Sequence, residues 1–117
     1  MFKEALRDIV DQTDGGLAGL LMDSSGIALE SYAKDGAFDI NTVGIEFTVV
    51  INQVKRAAEM LDVGVAREMS IGTDKMVTII RMLNDTYFIA LTMKPEGNLG
   101  KGRYLMRLSA PKILAEL

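Results

Sequence analysis

Residues 17–32 read LAGLLMDSSGIALESY: a short apolar run, the tetrapeptide Asp23-Ser24-Ser25-Gly26, and a second, more mixed run. Two strand-length segments around a turn-forming group predict a β-hairpin. Successive side chains of a strand point to opposite faces, so a run apolar at consecutive positions is apolar on both. The segment 17–22 must therefore lie inside a sheet with other elements packed above and below it. The segment 27–32 alternates more and belongs nearer an edge.

Outward from this hairpin, Asp14-Gly15-Gly16 ends an amphipathic helix over residues 2–13, in which Phe2, Ala5, Leu6, Ile9 and Val10 recur at helical spacing. Residues 39–62 hold the longest helical pattern, with Asp39 or Asn41 as its cap. Residues 65–72, 76–83 and 86–93 read as three strands divided by Thr73-Asp74-Lys75 and Asn84-Asp85. A last helix spans about 99–116, with Leu105, Met106, Leu108, Ala110, Ile113, Leu114 and Leu117 as its apolar stripe and Pro111 inside it. The order predicts a mixed α/β (α+β) fold over residues 1–117 as one domain, a five-stranded antiparallel sheet sandwiched by helices. Segment 65–72 looks like a sheet edge, with Arg67 and Glu68 in its middle. Charges there suit either pairing with another chain or ordinary defence of a free edge.

The chain has 117 residues, no cysteine and no histidine. That removes thiol nucleophiles, the serine-histidine relay, thiolate metal sites and imidazole ligands. With a net charge of −3 and scattered cations it lacks the electrostatic footprint of a nucleic-acid surface. Its apolar runs are too short to span a bilayer, and both charge signs in MFKEALRDIV differ from a signal peptide, so a cytoplasmic protein is expected. Asp11, Asp14, Asp23 and Asp35 fall at helix ends or turns, where Asp serves the backbone. No catalytic, cofactor or metal residue is assigned, and an enzyme is not expected.

The glycines and basic residues of EGNLGKGRY, residues 96–104, raise the question of phosphate binding. A Walker A loop needs a glycine five positions before its Gly-Lys pair and a hydroxyl after the lysine. Pro95 and Gly102 occupy those places, and the glycine spacing also fails the dinucleotide pattern. The segment reads as a turn opening the last helix.

Along the long helix, Ile40, Val43, Gly44, Phe47, Val50, Ile51, Val54, Ala57, Ala58 and Leu61 share one side, sufficient to pack on a sheet. Ile45, Val49 and Met60 fall on the opposite side among Thr42, Asn52, Gln53 and Arg56. Apolar residues one turn apart, beside an arginine and amides, mark an interface composition.

The element order, GLAGLLMDSSGIALES and GNLGKGRYLMR together resemble the Roadblock / dynein light chain domain family, and within it the bacterial MglB-type regulators of small Ras-like GTPases. Gly19, Asp23 and Gly26, and Asn98-Leu99-Gly100 leading to Arg103, carry the resemblance, which covers nearly the whole chain. It implies a profilin-like fold with the long helix on one sheet face and the two terminal helices on the other. It also implies a homodimer in which the edge strand, with Val65, Arg67, Glu68, Met69, Ser70 and Ile71, continues the sheet into its partner while the long helices lie side by side. The implied partner is a small Ras-like GTPase, met by Ile45, Val49, Asn52, Arg56 and Met60. MglB-like proteins supply no arginine finger, so Arg56 has no such role in this reading. The effect on the GTPase stays open between activation, nucleotide exchange and scaffolding. A sensor module with a small-molecule pocket between sheet and helix is the alternative class.

Overall fold

The structure, a computed structural model, describes residues 1–34 and 39–117; Asp35 lies outside the described residues. The elements are α1 (Phe2–Gln12), β1 (Gly16–Asp23), β2 (Ala28–Ala33), α2 (Ile40–Leu61), β3 (Glu68–Gly72), β4 (Val77–Met82), β5 (Tyr87–Met93) and α3 (Leu99–Ala115). The strands form one antiparallel sheet in the order β2-β1-β5-β4-β3, so the expected edge segments are the edges.

Two-sided burial of the inner strands organises the layers. Ala18, Leu20 and Met22 of β1 join Phe88 and Ala90 of β5 against Ile40 and Ile51 of α2. Leu21, Ile89 and Leu91 point the other way, against Leu6, Ile9 and Val10 of α1 and Met106 and Ile113 of α3. The hairpin turns as read: Asp23 Oδ1 accepts from the Ser25 and Ile27 amides at 2.9 and 3.0 Å. A β-bulge between Leu21 and Met22 follows where β2 begins to pair.

Helices approach the sheet closely where side chains are missing. A Cβ on Gly44 would meet the Met22 sulfur at 2.9 Å, and one on Gly102 would meet Leu91 Cδ2 at 2.8 Å. Gly19 in β1 gives the same clearance to Val10 of α1, 3.2 Å from such a Cβ. Each helix is thus seated on the sheet through a glycine.

The start of α2 is fixed by Asp39, whose Oδ1 accepts from the Asn41 and Thr42 amides and whose Oδ2 accepts from Thr42 Oγ1 at 2.8 Å. The Thr42 hydroxyl first, with the Thr42 and Asn41 amides, holds the Asp39 carboxyl below the ordinary aspartate range against a small opposing effect of desolvation. From there α2 runs across the strands from the β1–β2 turn to the β4–β5 turn. Ile45 lies beside Gly26 at the β1–β2 turn, and further along Lys55 Nζ donates to the Asp85 carbonyl in the β4–β5 turn at 2.7 Å.

Within segment 96–104, Gly97, Asn98 and Gly102 have structural duties. Gly97 lies against the α1–β1 turn, where a Cβ would sit 2.8 Å from the Asp14 carbonyl oxygen, and the Asn98 amide donates to that same oxygen at 2.9 Å. Gly15, with φ of +84°, shares this contact. Asn98 then caps α3, its Oδ1 accepting from the Lys101 amide at 3.0 Å.

Two helical stripes are narrower than their sequence patterns. In α3 the buried line is Gly102, Met106 and Ile113, while Leu108, Leu114 and Leu117 are exposed. In α2, Val50, Ala57 and Leu61 are exposed although the helical period groups them with the core side. A helix on a sheet buries only the arc that touches it, so Leu114 of α3 and the three α2 residues stay in water on the flanks, while Leu108 lies by the helical period on the far side of α3 from Met106 and Ile113.

Gly97→Ala should destabilise by about 1–3 kcal/mol through backbone crowding, lowering the melting temperature by several degrees. Gly100→Ala, whose Cβ would meet only Asn98 Oδ1 at an ordinary contact distance of 3.8 Å, should be neutral or up to about 1 kcal/mol more stable through helix propensity. Thermal unfolding of both variants checks the pair; equal losses would contradict it. For Asp39, the lowered folded pKa means its contribution is fully present above the unfolded aspartate value and is lost as pH falls through the folded one. The stability gap between wild type and Asp39→Ala, followed by urea midpoints, should be widest at neutral pH and shrink as the pH falls below the ordinary aspartate range.

Candidate functional site

The 22-residue helix α2, about 33 Å long, is the platform. It ends cleanly because Asp62 takes the left-handed conformation, with φ of 55°, and the Asp62 and Val63 amides return to the Glu59 and Ala58 carbonyls at 3.1 and 3.3 Å. Ile45, Val49, Asn52, Arg56 and Met60 are all exposed and recur three or four residues apart, so they form one outward line along the helix. Val49 retains 61% and Met60 80% of its accessible surface.

A second apolar line was missed from sequence. Val50, Ala57 and Leu61 lie on the flank opposite to that of Lys55. Since Lys55 is tied to the β4–β5 turn, this flank looks towards the other end of the sheet, over Met69 and Ile71 of β3, which are only half-buried. Leu61 keeps 70% exposure. The signal available in the sequence was width: the apolar side of α2 covers a broader arc than one sheet surface can bury.

The neighbouring edge is the outer side of β3. The strand begins at Glu68, three residues later than the segment 65–72 suggested, because β4 ends at Met82, whose amide donates to the Arg67 carbonyl at 2.9 Å. Val65 and Ala66 therefore have no strand to pair with, and Val65 is exposed, as is Arg67. At the far end the Thr73 amide donates to the Met76 carbonyl at 2.8 Å. These two bonds fix the antiparallel alternation: Arg67, Met69, Ile71 and Thr73 turn their backbone groups to β4, while Glu68, Ser70 and Gly72 turn theirs outward. Met69 and Ile71 pack their side chains on the α2 side. Glu68 points to the opposite face, where its carboxylate lies 3.8 Å from Arg81 Nη1 and 3.0 Å from Arg103 Nε of α3. The Arg103 Nε–H is not aimed at that oxygen, so this is an ion pair without an aligned hydrogen bond. The opposite edge differs, since on β2 the Ser31 amide is taken up by its neighbour's carboxylate, Glu30 Oε1, at 3.0 Å.

Between α2 and the end of β4 opens a groove of about 250 Å³, lined by Lys55, Val65, Arg67, Met82 and Asn84 among others. It is smaller than the roughly 300–1,000 Å³ usual for small-molecule sites, and its lysine already serves the Asp85 carbonyl. Among the described residues no group of three or more His, Cys, Asp or Glu stands together to hold a metal. No helix among them is long and apolar enough to cross a membrane. The constellation is a surface: an outward apolar line with an arginine, an apolar flank, and a free strand edge, side by side.

Comparison with family models and with curated proteins finds no match. Solved structures do match. The chain is similar to MglC from Myxococcus xanthus, at 36% identity over 99% of this chain and 98% of that one, with a TM-score of 0.73. It shares its fold with the gliding protein MglB of Thermus thermophilus, at 18% identity, 97% and 88% coverage and a TM-score of 0.83. A Roadblock/LC7 domain from Streptomyces avermitilis superposes equally well, with a TM-score of 0.83 at 12% identity and 95% and 92% coverage.

Proposed function

The chain belongs to the Roadblock/LC7 domain family, and we propose that it is a non-catalytic homodimeric regulator or scaffold that binds a small Ras-like GTPase and modulates its GTP hydrolysis or nucleotide exchange. The observation that carries this reading is the separation of two apolar lines on one helix. A helix that only had to pack on its own sheet needs neither. In the proposed dimer the β3 edges pair through the outward groups of Glu68, Ser70 and Gly72, and the sheet continues across the junction. The half-buried Met69 and Ile71 and the flank of Val50, Ala57 and Leu61 are then covered by the partner's long helix.

The outward line stays free in that arrangement and forms the GTPase contact. Ile45, Val49 and Met60 give apolar anchors, while Arg56 and Asn52 provide donors, the composition of an interface centre. Regulation follows without a catalytic group from this chain. A surface that binds one conformation of the GTPase more tightly shifts its population towards that conformation, by no more than the difference in affinity. If the favoured conformation aligns the GTPase's own catalytic groups, hydrolysis quickens; if it opens the nucleotide site, exchange does. Chain-internal positioning of Arg56 as a finger is not required.

Two substitutions separate the surfaces. Ser70→Pro removes an outward amide while leaving the β4 ladder intact, whereas Met69→Pro would break the ladder inside the protomer. Sedimentation should show wild type as a dimer at tens of micromolar and Ser70→Pro as a folded monomer. Val49→Asp should leave the dimer whole and weaken binding of a cognate GTPase at least about tenfold, as a lost central anchor does. A monomeric wild type sinks the dimer; a dimeric Val49→Asp with undiminished GTPase affinity sinks the assignment of the outward line.

A further inference from the structure

We infer that the solvent face of α3, on the opposite side of the sheet from α2, is a second docking surface, and that its occupant is an acidic amphipathic segment of a partner protein. Between Leu99 and Ala115 the helix carries Lys101, Arg103, Arg107 and Lys112 and not one carboxylate. The rest of the chain holds nine cations against sixteen acids, so α3 alone among the three helices carries a net positive charge, although lysine and arginine are scattered over the chain as a whole. Placed at the helix period, Tyr104 and Leu108 fall on the outward centre with Lys101 and Lys112 on one side and Arg107 on the other. Tyr104 is 53% and Leu108 49% exposed. An apolar pair bracketed by cations complements a helix whose apolar stripe is bracketed by carboxylates.

A plain solvated face would explain scattered charges of both signs, but not this set. Lys101 occupies the first turn, where the helix dipole disfavours cations and favours acids. It stands against the helix's own stability, and the Glu68 carboxylate pairs instead with Arg103, further along the helix, at 3.0 Å. An anionic membrane is the weaker fit. Tyr104 and Leu108 present too narrow an apolar strip for insertion, and the acidic remainder of the protein would be repelled by such a surface.

The test uses the whole chain and a fluorescein-labelled peptide built from Leu-Glu-Ala-Leu-Glu-Glu-Ala heptads, with its Lys-for-Glu counterpart and phosphatidylserine vesicles as controls. Anisotropy should show saturable binding of the acidic peptide at about 10–100 μM in ~50 mM salt, weakening at least about fivefold by ~300 mM. Charge reversal at Lys101, Arg107 and Lys112 together should weaken it at least about tenfold, and Leu108→Ser should weaken it without altering the salt slope. Lys101→Glu alone should weaken binding while holding or raising the melting temperature by about 1–4 °C, because an acid suits the first turn. The inference is overturned if the basic peptide binds as well, if the triple variant binds as wild type does, if no saturation occurs by ~1 mM, or if vesicles bind and the peptide does not. It is overturned too if Lys101→Glu lowers the melting temperature, which would make the lysine structural. None of these readings involves α2 or β3, so they are independent of the GTPase surface.

Discussion

The structure depends on β1 and β5 being apolar on both faces. Leu20 and Leu21, adjacent in sequence and both fully buried, point into different cores. A strand of that kind cannot lie against water on either side, so the chain must supply helices to both faces of the sheet. It does so with unequal means. Two terminal helices share one face, whereas a single helix crosses the strands on the other.

That inequality leaves the candidate surfaces uncovered. One helix cannot cover a five-stranded sheet, and α2 leaves the α2-facing side of β3 half-covered and its own flank bare. The sheet has two edges, and they are treated differently: β2 turns a carboxylate back on its Ser31 amide, while β3 keeps outward groups at Glu68, Ser70 and Gly72. A free edge beside an incompletely covered face favours a partner that supplies both a strand and a helix, and a second copy of the same chain has both.

Much of this was legible in the residues because the relevant signals are local. The hairpin 17–32 carried its turn chemistry in Asp23 and Gly26, the α2 cap in Asp39, and the helix entry in Asn98. The order of layers followed from apolar runs alone. What sequence could not convey was how far each helix rests on its neighbours. Leu61 and Val50, or Leu114, have the same character as Ile51 and Met106 and differ only in whether another element reaches them. The start of β3 failed for a related reason, since Val65 alternates like a strand residue but β4 stops before it. Gly97 reads as a turn residue, but that the turn meets a second backbone turn, between residues some eighty positions apart, is beyond local signals.

The two proposed surfaces lie on opposite faces of one sheet and differ in kind. On α2 the outward line mixes apolar residues with one arginine and amides, which suits a contact governed by shape and burial and only weakly by salt. On α3 the cations surround a small apolar centre, which suits fast, salt-sensitive association. With the closely packed core between them, occupancy of one surface need not exclude the other. A homodimer would present each surface twice, so weak binding at α3 gains from effective concentration once α2 has captured its partner, provided the connecting chain can span the sheet.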